Sequence, residues 1–169
     1  MKKMITSLCA AILLAAVPAM AAKVNVGQPA PDFTLSDLDG KEFKLSALKG
    51  NKAAVISIMQ TACSSCKDEL KALQEFVGKS DKFEVIAVNV DARSAAPAWK
   101  ETVQNYMAEM KLTMRMVTDP KFSVGRAYGI GATPTMIVVG KDGNVLQLIT
   151  GFTPGESEAE LAKVLNALN

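Results

Sequence analysis

The sequence contains no histidine. That absence removes every Ser-His-Asp and Cys-His catalytic arrangement, and any zinc site that relies on imidazole. Arginine is scarce, with three in 169 residues, and the formal net charge is only +2. A nucleic-acid-binding surface needs a basic stripe, and this composition does not supply one. No apolar run reaches the roughly 20 residues that a membrane span requires. What is present is ordinary for a globular chain: 49% hydrophobic residues, 21% charged, and a length that fits one domain. Cysteine is sparse, with three copies, and their placement is the informative feature.

Lys2 and Lys3 precede an apolar stretch from Ile5 to Val17, Pro18 interrupts it, and Ala19-Met20-Ala21 follows. A charged start, a short apolar middle and an A-x-A end form the pattern of a secretory signal peptide, predicted over residues 1–21. Cys9 falls inside that stretch. The bulky Leu8 before it, and the apolar run continuing past it, argue against a lipid-modified cysteine. Residues 22–169 are then expected to form one domain, exported to the periplasm or beyond and soluble after cleavage. Without Lys2 and Lys3 the 19 basic residues fall to 17 and match the 17 acids, so this part is formally neutral. It keeps two cysteines, Cys63 and Cys66. A disulfide across so short a loop removes little chain entropy from the unfolded state, so the pair needs a chemical explanation.

Hydrophobic patterning sets out the order of elements. Short strands over 33–35 and 42–45 flank a turn at Asp39-Gly40. The segments 53–59 and 83–90 are continuous apolar runs of strand length, as strands buried on both faces would be. Helices are predicted over 64–77, 94–110, 121–128 and 156–168, with Pro97 tolerated in the first turn of the second. Further strands are predicted over 114–117, 135–139 and 145–149, the last two joined by a Lys141-Asp142-Gly143-Asn144 turn. This alternation implies an α/β fold, a mixed central β-sheet flanked by helices on both faces, with right-handed parallel crossovers.

Cys63-Ser64-Ser65-Cys66 stands where a buried strand ends and a helix begins. Unpaired N–H groups and the positive end of the helix dipole favour an anion there, so Cys63 is the expected thiolate, with a lowered pKa. Cys66, one turn further in, is close enough to attack a mixed disulfide formed at Cys63. A competing reading is half of a metal site. Zinc would want two further ligands, while a two-thiolate Cu(I) site, or four thiolates shared by a dimer, stays open. Met59 is the methionine near the thiols; Met107, Met110, Met114, Met116 and Met136 read as core filler. Downstream, Ile130-Gly131-Ala132-Thr133-Pro134-Thr135 leads into a strand. The Gly-rich turn would accommodate a cis Thr133–Pro134 bond. Such a bond presents the Thr133 backbone as an edge for an extended peptide and keeps a metal from closing over the thiols.

Taken in order, APDFTL…DG…LSALKG, CxxC, VNVD, YGIGATPT and GKDGNV resemble the thioredoxin fold, and within it the TlpA/ResA branch of exported thiol–disulfide oxidoreductases (redoxin, AhpC/TSA-like). The similarity runs from about Val26 to Leu168 and includes an N-terminal β-hairpin and an inserted β-α segment over 83–110. The resemblance implies Cys63 as nucleophile, Cys66 as resolving thiol and Pro134 as the cis-proline. It also implies a role for Glu69 near the thiols, raising their pKa values or shuttling a proton. A solvated surface carboxylate beside Lys67 and Asp68 is the alternative for Glu69. Thr133, Ala132, Met59 and Ala62 are the expected substrate-binding positions. Two departures stand out. The family's Trp before the first cysteine and the aromatic three residues earlier are replaced by Ala62 and Met59, and Ser57 stands where thioredoxin has an acid.

A member of this branch needs no cofactor beyond its redox-active Cys63–Cys66 disulfide, and no metal. The implied partners are exported proteins with cysteine pairs, such as apocytochrome c, and a membrane thiol donor for re-reduction. Nucleic acid is not expected, and a monomer is. Two other activities fit the residues less well. Thiol-dependent peroxide reduction would want a Pro and a Thr upstream of the reactive cysteine and an activating Arg, and MQTAC offers no such Pro. Copper-assembly relatives use C-x-x-x-C with a distant His, and neither is present.

Overall fold

Every residue from Ala53 to Met59 is buried, as an unbroken apolar run requires of a strand with neighbours on both edges and cover on both faces. In the computed structural model, which describes residues 24–91 and 98–168, this segment is an interior strand of a seven-stranded sheet. The predicted signal segment 1–21, with Cys9, lies outside the described residues, as does the start of the helix predicted over 94–110. The strands are β1 (Thr34–Asp37), β2 (Glu42–Lys44), β3 (Ala53–Met59), β4 (Phe83–Asn89), β5 (Arg115–Thr118), β6 (Thr135–Val139) and β7 (Val145–Thr150). The helices are α1 (Ser64–Gln74), α2 (Trp99–Glu109), α3 (Ser123–Ala127) and α4 (Glu156–Asn166). Spatial order is β2-β1-β5-β4-β3-β6-β7, with β3, β4 and β5 parallel and the remaining pairings antiparallel.

Side-chain alternation along β3 divides the core into two layers. Ala54, Ile56 and Ile58 enter one, with Phe43, Ile86, Ile137, Tyr128 and Val124 of α3. Val55 and Met59 enter the other, with Cys66, Leu70 and Leu73 of α1, Val103 of α2, and Leu161 and Leu165 of α4. The mixed sheet with helices on both faces is therefore the architecture expected. Leu70 and Leu73 are buried, and each stabilises the fold by about 1.5–3 kcal/mol relative to an exposed side chain.

The differences from the expected elements have local causes. Helix α1 ends at Gln74, not at residue 77, although Phe76 and Val77 still pack against the second layer. Periodic burial thus outlasts the helix, and Gly78, at φ 74°, turns the chain toward β4. Leu45 leaves β2 to start a short 3-10 turn (Leu45–Leu48), which tucks its side chain into the first layer. After β5, the buried Asp119 carboxylate accepts hydrogen bonds from the Ser123 N–H at 2.7 Å, the Ser123 hydroxyl at 2.8 Å and the Val124 N–H at 2.8 Å. Those bonds satisfy the opening turn of α3 and set the path toward the Thr133 loop.

Candidate active site

The C-terminal end of β3 delivers Cys63 to the N-cap of α1, in an extended conformation with φ −90° and ψ 114°. Its sulfur accepts the Cys66 backbone N–H at 3.1 Å, taking the place of the oxygen that usually caps a helix. Cys63 and Cys66 are joined as a disulfide. The two sulfurs differ in access: Cys63 is half-buried, whereas Cys66 is 0% exposed and belongs to the core. On reduction, the groups that receive a thiolate at Cys63 are the same N–H and the positive end of α1.

The loop before β6 closes over the pair from the other side. The Thr133–Pro134 peptide is cis, and the Thr133 carbonyl oxygen lies 3.6 Å from the Cys63 sulfur. The Thr133 hydroxyl donates to Gln60 Oε1 at 3.3 Å, and the Thr135 hydroxyl donates to the Ala132 carbonyl at 2.8 Å. Ala62 and Ala132 are exposed on either side of Cys63, and Pro134 is buried behind them. Met59 does not share this surface. It is 0% exposed in the second core layer, because β3 directs its side chain under α1, and its sulfur accepts the Asn89 side-chain N–H at 3.4 Å. The expectation that Met59 binds substrate is therefore corrected: it supports the site from beneath.

Glu69 is in the core as well. Cys66, Glu69, Leu70 and Leu73 form the buried face of α1, at i, i+3, i+4 and i+7. The Ser57 hydroxyl, from β3, donates to Glu69 Oε1, while Oε2 is buried and has no partner among the described residues. Burial pushes this carboxyl up to about 7, with the Ser57 hydrogen bond opposing the rise. The solvated-face alternative is thus excluded by geometry. Where thioredoxin carries an acid on the strand, this chain has a strand hydroxyl and brings the carboxyl in from the helix.

Three contributors escaped the sequence reading. Gln60 ties the two loops together through Thr133. Asp91 accepts from the Thr61 N–H at 3.1 Å and from the Thr61 hydroxyl at 2.7 Å, bracing the residues that lead into Cys63. Ser57, in sequence only the replacement of an acid, is the donor to Glu69. The signal for Asp91 was its place directly after a buried strand, within VNVD. On α2, the Tyr106 hydroxyl is buried without a partner among the described residues, and burial, with Asp91 and Asp68 nearby, pushes it up to about 12. Among the described residues, no group of three or more His, Cys, Asp or Glu side chains is placed to hold a metal ion.

A buried cysteine, a half-exposed disulfide partner at a helix N-terminus and a carbonyl edge beside it make a geometry suited to disulfide exchange. Residues 26–148 match the AhpC/TSA family. The chain belongs to this family. It is 35% identical over 130 residues to the thiol-disulfide oxidoreductase ResA of Geobacillus thermodenitrificans, covering 76% of this chain and 71% of that one. ResA of Geobacillus kaustophilus is 35% identical over 144 residues, covering 83% and 79%. A crystal structure from Chlorobium tepidum, assigned as a thiol:disulfide interchange protein DsbE, superposes with a TM-score of 0.76 at 28% identity, covering 87% of this chain and 100% of that one. The protein is an oxidoreductase that works by thiol–disulfide exchange, on a thioredoxin-like fold.

Proposed function

We propose that this oxidoreductase acts outside the cytoplasm as a reductant of exported proteins with closely spaced cysteine pairs, apocytochrome c among them. The observation that carries the mechanism is the unequal exposure of Cys63 and Cys66 beside the Thr133 carbonyl. Cys63 thiolate attacks a substrate disulfide, and one substrate sulfur leaves as a thiolate. Cys66 then gives up its proton and attacks the Cys63 sulfur. The bond from Cys63 to the substrate breaks, the second substrate thiolate departs, and the Cys63–Cys66 disulfide remains. Glu69, on the Cys66 face of α1, is the group assigned to carry that proton. Thr133, Ala132 and Ala62 form the edge along which an extended substrate segment lies, with Pro134 as the cis-proline behind it.

Export rests on the charged, apolar and A-x-A pattern of residues 1–21. Among the described residues, no helix is long and apolar enough to cross a membrane. An oxidising compartment returns the pair to the disulfide, so a membrane thiol donor is needed for turnover.

The test uses a synthetic peptide carrying the haem-attachment pattern C-x-x-C-H as its disulfide. Reduced wild-type protein is expected to reduce it with one equivalent, and the Cys63→Ser variant to leave it oxidised. Reduction by Cys63→Ser at the wild-type rate would remove the mechanism. Failure on this peptide alongside rapid reduction of insulin would remove the substrate class. Rapid consumption of hydrogen peroxide by the reduced protein would favour a peroxidase instead.

A further inference from the structure

Ser57 and Glu69 meet inside the second core layer, where every other side chain from β3 is apolar. We propose that Ser57 is a positioning residue for proton transfer at Cys66: its hydroxyl occupies Glu69 Oε1 and leaves Oε2 as the oxygen that takes up and returns the thiol proton. The inference rests on the reading of Glu69 as the proton carrier and goes one step beyond it.

The two carboxyl oxygens are not equivalent. Oε1 accepts from the Ser57 hydroxyl, whereas Oε2 is buried and has no partner among the described residues. A carboxylic acid carries a single proton, and an oxygen already accepting from a hydroxyl is the poorer place for it, so the proton resides on Oε2. A partner for Oε2 has to come from within the site. Cys66, three residues earlier on the same face and equally buried, supplies one when the pair is reduced. In the resolving step the Cys66 S–H proton passes to Oε2 of the ionised Glu69. The Cys66–Cys63 bond forms, and the electron pair of the broken bond leaves with the substrate thiolate. Re-reduction of the pair runs the transfer backwards.

Among the described residues, no charged group acts on the Glu69 carboxyl. Level with Ser57 across the sheet are Ala87 on β4 and Met136 on β6. From α2 and α4 the buried contributions to this layer are Val103, Leu161 and Leu165. Lys67 and Asp68 on α1 itself are exposed, and Asp68 and Asp91 act on Tyr106 of α2. Burial and the Ser57 hydrogen bond are the two influences on the carboxyl, and they oppose each other. Ser57 therefore keeps Glu69 ionisable near neutral pH, where Cys66 has to lose its proton.

The decisive experiment is a carbon-13 NMR titration of the Glu69 carboxyl in the oxidised protein, in which neither thiol titrates. The wild-type midpoint is expected near 7. Ser57→Thr keeps the donor and should keep that midpoint. Ser57→Val, which has the shape of Thr without its hydroxyl, should move it upward by about one pH unit or more. Ser57→Ala provides a second non-donor should the valine disturb folding. The pH profile for release of a pre-formed mixed disulfide by Cys66 should shift in parallel, while the first attack by Cys63 is unchanged. Identical titrations for the Thr, Val and Ala variants overturn the role of Ser57. A release profile altered by Glu69→Gln but not by the Ser57 variants removes Ser57 alone. A profile that Glu69→Gln leaves untouched removes both the carrier and its positioning residue.

Discussion

The sulfur of Cys63 lies 3.6 Å from the carbonyl oxygen of Thr133, 70 positions further along the chain. Cys66, by contrast, is 0% exposed on the buried face of α1. The exchange site therefore has one sulfur for the outside and one for the inside, with Thr133 marking the open edge.

That asymmetry predicts selective chemistry after reduction. Iodoacetamide should label Cys63 ahead of Cys66 by about tenfold or more, as read by peptide mass spectrometry at short times. The Cys66→Ser variant retains the accessible sulfur and loses the buried one, so it should accumulate a one-to-one mixed disulfide with substrate. Equal labelling of the two cysteines would contradict the assignment.

Glu69 predicts a pH dependence of stability. Its carboxyl lies at about 7 in the folded protein against an ordinary 4.5. A carboxyl raised by folding binds its proton more tightly in the native state, so its contribution is fully present below about pH 4.5 and is lost as pH rises through 7. The loss amounts to about 3 kcal/mol. Urea unfolding of the oxidised protein between pH 4.5 and 8 should show wild type losing stability relative to Glu69→Gln by this amount. A difference that stays constant across the window would contradict it.

The buried Asp119 predicts a cost for losing the α3 cap. Asp119→Ala leaves the Ser123 and Val124 N–H groups without their acceptor and opens space below β5. The expected destabilisation is about 3 kcal/mol, measured as a lower urea midpoint at unchanged slope. A variant as stable as wild type would show that water replaces the carboxylate without penalty.

The small residues around Cys63 predict breadth of access. Ala62 and Ala132 are exposed and add little bulk beside the sulfur. Ala62→Trp should slow insulin reduction several-fold while a small aromatic disulfide is reduced near the wild-type rate. Equal slowing of both would indicate a change in the thiol itself rather than in the groove.

Strands β3 and β6 appear with the bounds that patterning predicts, because an unbroken apolar run of strand length has few other ways to be buried on both faces. The end of α1 was less legible. Phe76 and Val77 continue the apolar spacing after the helix has stopped, and spacing reports burial rather than backbone conformation. Met59 shows the same limit from the other side. Its nearness to Cys63 in sequence suggests a groove residue, but strand alternation turns it into the core.

By itself the sequence determined the chemistry: a cysteine pair with two residues between its members, placed after a buried strand, in a chain with no histidine to support another mechanism. It also determined the order of strands and helices that brings Thr133 to the cysteine pair. Only the tertiary structure decided what surrounds the sulfurs. Ser57 reaches Glu69 across 12 residues, Asp91 reaches Thr61 across 30, and Thr133 reaches Gln60 across 73. Those separations are closed by sheet register and by the packing of α1 over β3. Whether a helical carboxylate is solvated or buried depends on what lies against that face, which helical spacing alone does not specify.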